Sequence, residues 1–112
     1  MNFVWVRTQF EGFHCWEDAP EQTKYLKNRH RHIFHVKVWV SVNNINREIE
    51  FITLKNQVNE IIGRIKATNS DHETYSCEMW AQKTKNHLSL FYSKNRIMVS
   101  VSEDGENGAM LV

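Results

Sequence analysis

The stretch His30-Arg31-His32-Ile33-Phe34-His35-Val36-Lys37-Val38-Trp39-Val40 decides how this chain is read. Side chains two apart on a β-strand share a face. Phe34, Val36, Val38 and Val40 therefore form one apolar stripe, and His30 and His32 are its polar head. The alternation predicts a strand from His30 to about Val42. Both imidazoles then project from one face, about 7 Å apart along the strand, a workable reach for gripping one metal ion. His35 has the opposite parity and reads as a solvated histidine.

Upstream, residues 2–15 carry Phe3, Val4, Trp5, Val6, Thr8, Phe10 and Phe13, a β-branched and aromatic mix that predicts a first strand. Gly12 inside it marks a bulge or a close backbone approach. Val4, Val6, Thr8, Phe10, Gly12 and His14 share a face, so His14 also ends a stripe. Residues 16–29 read as a polar connection with a helical turn after Pro20. Downstream, residues 43–46 are turn-rich. Phe51, Leu54, Val58, Ile61, Ile62 and Ile65 then recur with the period of a helix.

Residues 67–72 read as a loop. Ser76 suits the N-cap of a second helix, with Glu78 in its first turn and Met79, Trp80, Leu88 and Phe91 for its buried side. Ile97, Val99, Val101 and Glu103 alternate again, residues 104–108 make a strong turn, and residues 109–112 can pair back as a last strand. The order ββααββ predicts one α+β domain over residues 1–112. Its antiparallel four-stranded sheet carries two helices on one face. The open edges of such a sheet invite closure with copies of the chain.

Composition narrows the classes. The 112 residues carry 14 basic and 13 acidic side chains, a formal net charge of +1. This balance gives no global electrostatic case for nucleic acid or a membrane surface. The stretch from Lys24 to Lys37 is basic and aromatic, as a nucleic-acid contact would be, but its alternation buries half of it. No apolar run approaches the ~20 residues of a membrane span. The N-terminus lacks the basic start, apolar middle and cleavage site of a signal peptide. Cys15 and Cys77 have no close pairing pattern and read as small buried hydrophobes of a reduced, cytoplasmic protein. Trp5, Trp16, Trp39 and Trp80 read as core or subunit-contact residues rather than a stacking platform.

His14, His30 and His32 stand at strand ends that a β-hairpin could bring together. Three imidazoles with a free fourth position are the ligand set of a catalytic zinc ion. The bland alternative is a set of solvated or hydrogen-bonded histidines beside Lys24, Lys27, Arg29 and Arg31. The residues by themselves leave both readings open.

Taken in order, the motifs resemble those of the 6-pyruvoyl-tetrahydropterin synthase and 6-carboxy-tetrahydropterin synthase family, the tunnelling-fold (T-fold) enzymes of pterin and queuosine biosynthesis. Phe13-His14 resembles the family's first zinc motif, and His30-Arg31-His32 its H-G-H strand. Ile49-Glu50-Phe51 with Leu54-Lys55 resembles the opening of its first helix. Ser76-Cys77-Glu78, then Ala81, resembles that of its second. Val99-Ser100-Val101-Ser102-Glu103 resembles the strand that presents a glutamate to the pterin. The likeness spans nearly the whole chain.

The resemblance implies zinc on His14, His30 and His32. It implies a pterin or purine ring hydrogen-bonded to Glu103, and Asp71 and His72 as the proton-transfer pair. It also implies a barrel built from several subunits, with sites at their boundaries; Ile33 and Trp39 are candidates for that contact. The chain departs from the family in three places. Leu26 stands where the catalytic cysteine would be, Arg31 replaces the H-G-H glycine, and Glu50 replaces an aspartate. Two functions follow: a zinc-dependent lyase acting on dihydroneopterin triphosphate, or a non-catalytic zinc protein that binds a pterin or purine nucleotide. A version this compact would be at home in a bacteriophage genome.

Overall fold

The computed structural model describes residues 1–112. Strand β1 is Asn2–His14, β2 is His30–Val42, helix α1 is Phe51–Thr68, α2 is Cys77–Phe91, β3 is Ile97–Glu103 and β4 is Asn107–Leu111. Short 3₁₀ segments cover Glu21–Lys27, just after Pro20, and His72–Thr74. The strands form one antiparallel sheet in the order β1-β2-β3-β4, so both β1 and β4 are open edges. The architecture is α+β, as the sequence pattern predicts. No helix is long and apolar enough to cross a membrane.

The stripe of β2 sets the layers. Phe34, Val36, Val38 and Val40 are buried, and their cross-strand partners Val101, Val99 and Ile97 on β3 are buried with them. Leu54, Val58, Ile61, Ile62 and Ile65 of α1 and Trp80, Ala81 and Leu88 of α2 cover that face, making one continuous core of 18 residues. The opposite face of the sheet carries no helix.

Both helices start where their side chains can satisfy free backbone N–H groups. Glu50 accepts from Ile52 and Thr53 at 2.8 and 2.9 Å, and these two donors hold its carboxyl below the usual range. The Ser76 hydroxyl accepts the Met79 N–H at 3.1 Å, a cap that contributes about 1 kcal/mol in typical helices. Trp80, Thr84 and Leu88 then follow at intervals of four on the buried side.

Several expectations need correction. Phe51, Met79 and Phe91 are exposed rather than buried. Phe51 and Phe91 are the first and last residues of their helices, where the stripe runs past the core. Met79 sits one residue, about 100° of helix turn, from Trp80. The first strand stops at His14, α1 runs two residues into the expected loop, and β4 begins at Asn107, inside the expected turn. Gly108 explains that earlier start. A Cβ there would lie 2.2 Å from the Val101 carbonyl oxygen, so only a glycine lets β4 approach β3 this closely.

Candidate metal centre and adjoining pocket

Strand register assembles the site. His14 is the direct cross-strand partner of His30, and Gly12 is the partner of His32. With no side chain opposite His32, the hairpin leaves room beside that imidazole; a Cβ on Gly12 would also strike the Phe34 ring at 2.9 Å. On the other side Phe34 pairs with Glu103, which places Glu103 diagonally across from His32 on the same face. Four sequence-predicted residues, His14, His30, His32 and Glu103, are thus brought together at one end of the sheet.

The ring centroids of His14 and His30 are 5.2 Å apart, those of His14 and His32 6.0 Å, and those of His30 and His32 4.7 Å. On a tetrahedral zinc, with Zn–N about 2.0–2.1 Å and the ring centre about 1.1 Å beyond each nitrogen, neighbouring centroids fall about 5.2 Å apart. The observed spacings bracket that value. The side chains are not drawn into finished coordination geometry, since no three His, Cys, Asp or Glu groups stand as a closed ligand set. The centroid spacing is compatible with three imidazoles on one ion, although the side chains as placed do not close around one.

The hydrogen bonds of the rings carry more weight than the spacing. His30 Nδ1 donates to the Asn28 carbonyl at 2.6 Å, and His32 Nδ1 donates to the Asp104 carboxylate at 2.7 Å. Carbonyl and carboxylate oxygens only accept here, so each Nδ1 carries a proton, and in the neutral ring Nε2 is the acceptor. Both Nε2 atoms are buried without a hydrogen-bond partner, and His14 turns its own Nε2 toward Glu103 Oε1 at 3.8 Å. Buried polar nitrogens are almost always paired, so two orphans on neighbouring rings, beside a third imidazole and a carboxylate, point to a missing ligand. A histidine that donates through one nitrogen to an outer acceptor while presenting the other is the usual pattern in metal sites. Burial holds the His14 imidazole below its ordinary pKa, the neighbouring His30 and His32 push the same way, and Glu103 opposes them. That direction favours the neutral, ligating form. These residues fit zinc.

Asp104 is a site residue that sequence reasoning missed. It occupies the left-handed region at φ 56°, where aspartate is tolerated better than most residues. From that turn it accepts the Ile33 N–H at 2.9 Å, and its own N–H donates to the Ile33 carbonyl at 2.7 Å. The Ile33 N–H first, and His32 second, hold its carboxyl below the usual range. The motif that could have found it is the Asp104-Gly105 turn directly after Glu103.

A cleft of about 390 Å³ adjoins the cluster, within the range of small-ligand pockets. His14 and Glu103 form its contact with the histidines. Trp16, Leu26, Thr74, Ser76, Cys77, Glu78, Asn107 and Gly108 supply the rest of the lining. Its wall is held by two ties between the β1–β2 and α1–α2 connections, Cys15 N–H to the Glu73 carbonyl at 2.9 Å and a two-pronged Arg29–Glu73 ion pair at 2.8 and 3.0 Å, and by one tie within the first, Trp16 N–H to the Leu26 carbonyl at 2.7 Å. Arg29 also lies over the Phe13 ring at 3.8 Å. Trp16 lies half-exposed on the cleft instead of in the core.

The remaining predicted residues sit elsewhere. Asp71 accepts the Tyr75 hydroxyl at 3.1 Å, and His72 donates from Nδ1 to the Asn69 carbonyl at 2.8 Å. The His72 ring packs against Trp80, and neither residue lines the cleft. Cys77 lines it, but burial first and then Glu103 and Glu78 push its thiol up to about 12. Such a thiol is neither a nucleophile nor a base near neutral pH.

No protein-family model matches the chain, and no curated protein matches it.

Proposed function

We propose that this chain binds zinc through His14, His30 and His32 and a pterin or purine ring against Glu103, on the pattern of the 6-pyruvoyl- and 6-carboxy-tetrahydropterin synthases that its sequence resembles. The observation that carries this reading is the pair of buried, unpartnered nitrogens on His30 and His32, next to His14 and beside a cleft lined by Glu103. The Glu103 carboxylate offers two acceptor oxygens, which match the parallel ring N–H and amino donors of such a heterocycle. Trp16 offers the same ring an aromatic face from the cleft wall. Zinc, when bound, supplies Lewis acidity that eases proton removal from hydroxyls of the ligand's side chain.

Binding without turnover is the form of this function that the geometry supports best. Leu26 lines the cleft where the family would present its cysteine, and the Cys77 thiol stays protonated. Turnover of a dihydroneopterin triphosphate-like substrate is the second reading, favoured by His72. Its Nδ1 bond to Asn69 leaves Nε2 as a base, and a second subunit's cleft could use it. The proposal therefore includes a T-fold barrel in which β1 of one subunit pairs with β4 of the next. Exposed Trp5, Phe51 and Ile52 line a second cleft, of about 610 Å³, along the β1 edge. Two free thiols suit a reduced, cytoplasmic setting.

One experiment tests these points together: sedimentation of the zinc-loaded protein with dihydroneopterin triphosphate. We expect an oligomer that carries ligand absorbance with it at one equivalent per chain, with the ligand recovered unchanged. Recovery of a tetrahydropterin product, lost in His72→Ala, would replace the binder with the lyase. A monomer that carries no ligand would contradict both.

A further inference from the structure

Glu103 has a second relation to the histidines that a ring anchor does not require. Its Oε2 lies 3.3 Å from His32 Nε2 and its Oε1 lies 3.8 Å from His14 Nε2. The shorter approach is not a hydrogen bond, because His32 Nε2 has no partner in hydrogen-bonding geometry. His32 Nδ1 is engaged by Asp104, so Nε2 is the ring nitrogen turned toward the Glu103 carboxylate. Two donors on one tetrahedral zinc, each about 2.0–2.1 Å from the ion, stand about 3.3 Å apart. Glu103 also forms no ion pair with any lysine or arginine, although it is more than two-thirds buried; its partners are these two histidines alone.

We propose that Glu103 is the fourth metal ligand, closing a three-histidine, one-carboxylate coordination sphere while the cleft is empty. The inference rests on the zinc reading and departs from the open fourth position that three histidines alone would leave. A carboxylate that caps the ion cannot at the same time accept from a heterocycle. Entry of the ring therefore has to draw Glu103 off the metal, and the fourth position opens only when the cleft is filled.

Cobalt(II) substitution with azide as the probe tests this without reference to activity. An ion with a free or water-filled position takes the small anion and changes its visible absorption, whereas a closed sphere does not. We expect the cobalt spectrum of the wild-type protein to be tetrahedral and unaffected by millimolar azide. Glu103→Ala and the isosteric Glu103→Gln should still take up cobalt and should shift on azide addition. A wild-type spectrum that responds to azide as the variants do would overturn the proposal while leaving the three-histidine site standing. Failure of the wild-type protein to develop a cobalt spectrum at all would remove the zinc reading along with it. Should Glu103→Ala not fold, the Gln variant and the wild-type response still decide the matter.

Discussion

Replacing His30 with alanine is expected to weaken zinc binding by more than ~100-fold, since loss of even an outer hydrogen-bond partner typically costs 10–100-fold. The consequence for stability has an unusual sign structure. In the presence of chelator, the substitution removes a buried nitrogen that has no partner and one hydrogen bond to the Asn28 carbonyl. The loss should therefore stay within about 1–2 kcal/mol. In the wild-type protein, zinc at 1,000 times its dissociation constant adds about 4 kcal/mol by mass action. In the variant that increment should vanish at the same concentration. Urea unfolding of both proteins, with zinc and with chelator, reads all four values. A histidine cluster serving only structure would give the opposite pattern: a large loss in chelator and no zinc-dependent gain in either protein.

The second large effect is expected at Trp80. Its indole is 3% exposed and joins α2 to the sheet and to the α1–α2 connection. It lies 5.0 Å from the Phe10 ring, 5.5 Å from Tyr75, and 6.3 Å from both Phe34 and His72. Truncation of a buried tryptophan to alanine costs about 3–5 kcal/mol through lost burial and the cavity left behind. Domains of this size have about 5–15 kcal/mol in total. Trp80→Ala should therefore unfold at a small fraction of the wild-type urea midpoint or fail to accumulate, whereas Trp80→Phe should retain most of the stability. A loss under about 1 kcal/mol would mean that α2 does not pack on the sheet as described, because surface substitutions are the ones that fall in that range.

The two effects separate the core from the site. Trp80 belongs to the hydrophobic stripe, and its neighbours Phe10 and Phe34 each lie two residues beyond the site positions Gly12 and His32 on the same strand faces. Packing of the core thus sets the register, and the register sets where the imidazoles meet. A slip of one residue between β1 and β2 would put His14 on the opposite face of the sheet from His30 and His32.

Legibility followed the range of the interactions. The β2 alternation predicts His30–Val42 without error, because parity within one strand is a local property and burial on one face leaves a strong trace of it. Ser76 as a cap and the α1 stripe from Leu54 to Ile65 were readable for the same reason. The meeting of His14, His30 and His32 followed once the two strands were paired as a hairpin. Phe51, Met79 and Phe91 were misread because helical period reports the angle around an axis and says nothing of where the neighbouring sheet ends. The cleft was least legible. Trp16, Leu26 and Asn107 come from three segments far apart in sequence, and nothing periodic connects them. Asp104 reaches His32 across 72 positions; its Asp-Gly turn was legible as a turn, but a turn signal does not say which distant side chain the carboxylate meets.

The claim on which the rest depends is that the three imidazoles share one ion. Metal analysis of the purified wild-type protein, reconstituted with zinc and freed of excess by gel filtration, tests it most directly. One zinc per chain, falling to background in the His30→Ala and His32→Ala variants, is the predicted result. Protein that is folded yet elutes with no zinc, or binds as much after either substitution, would contradict it.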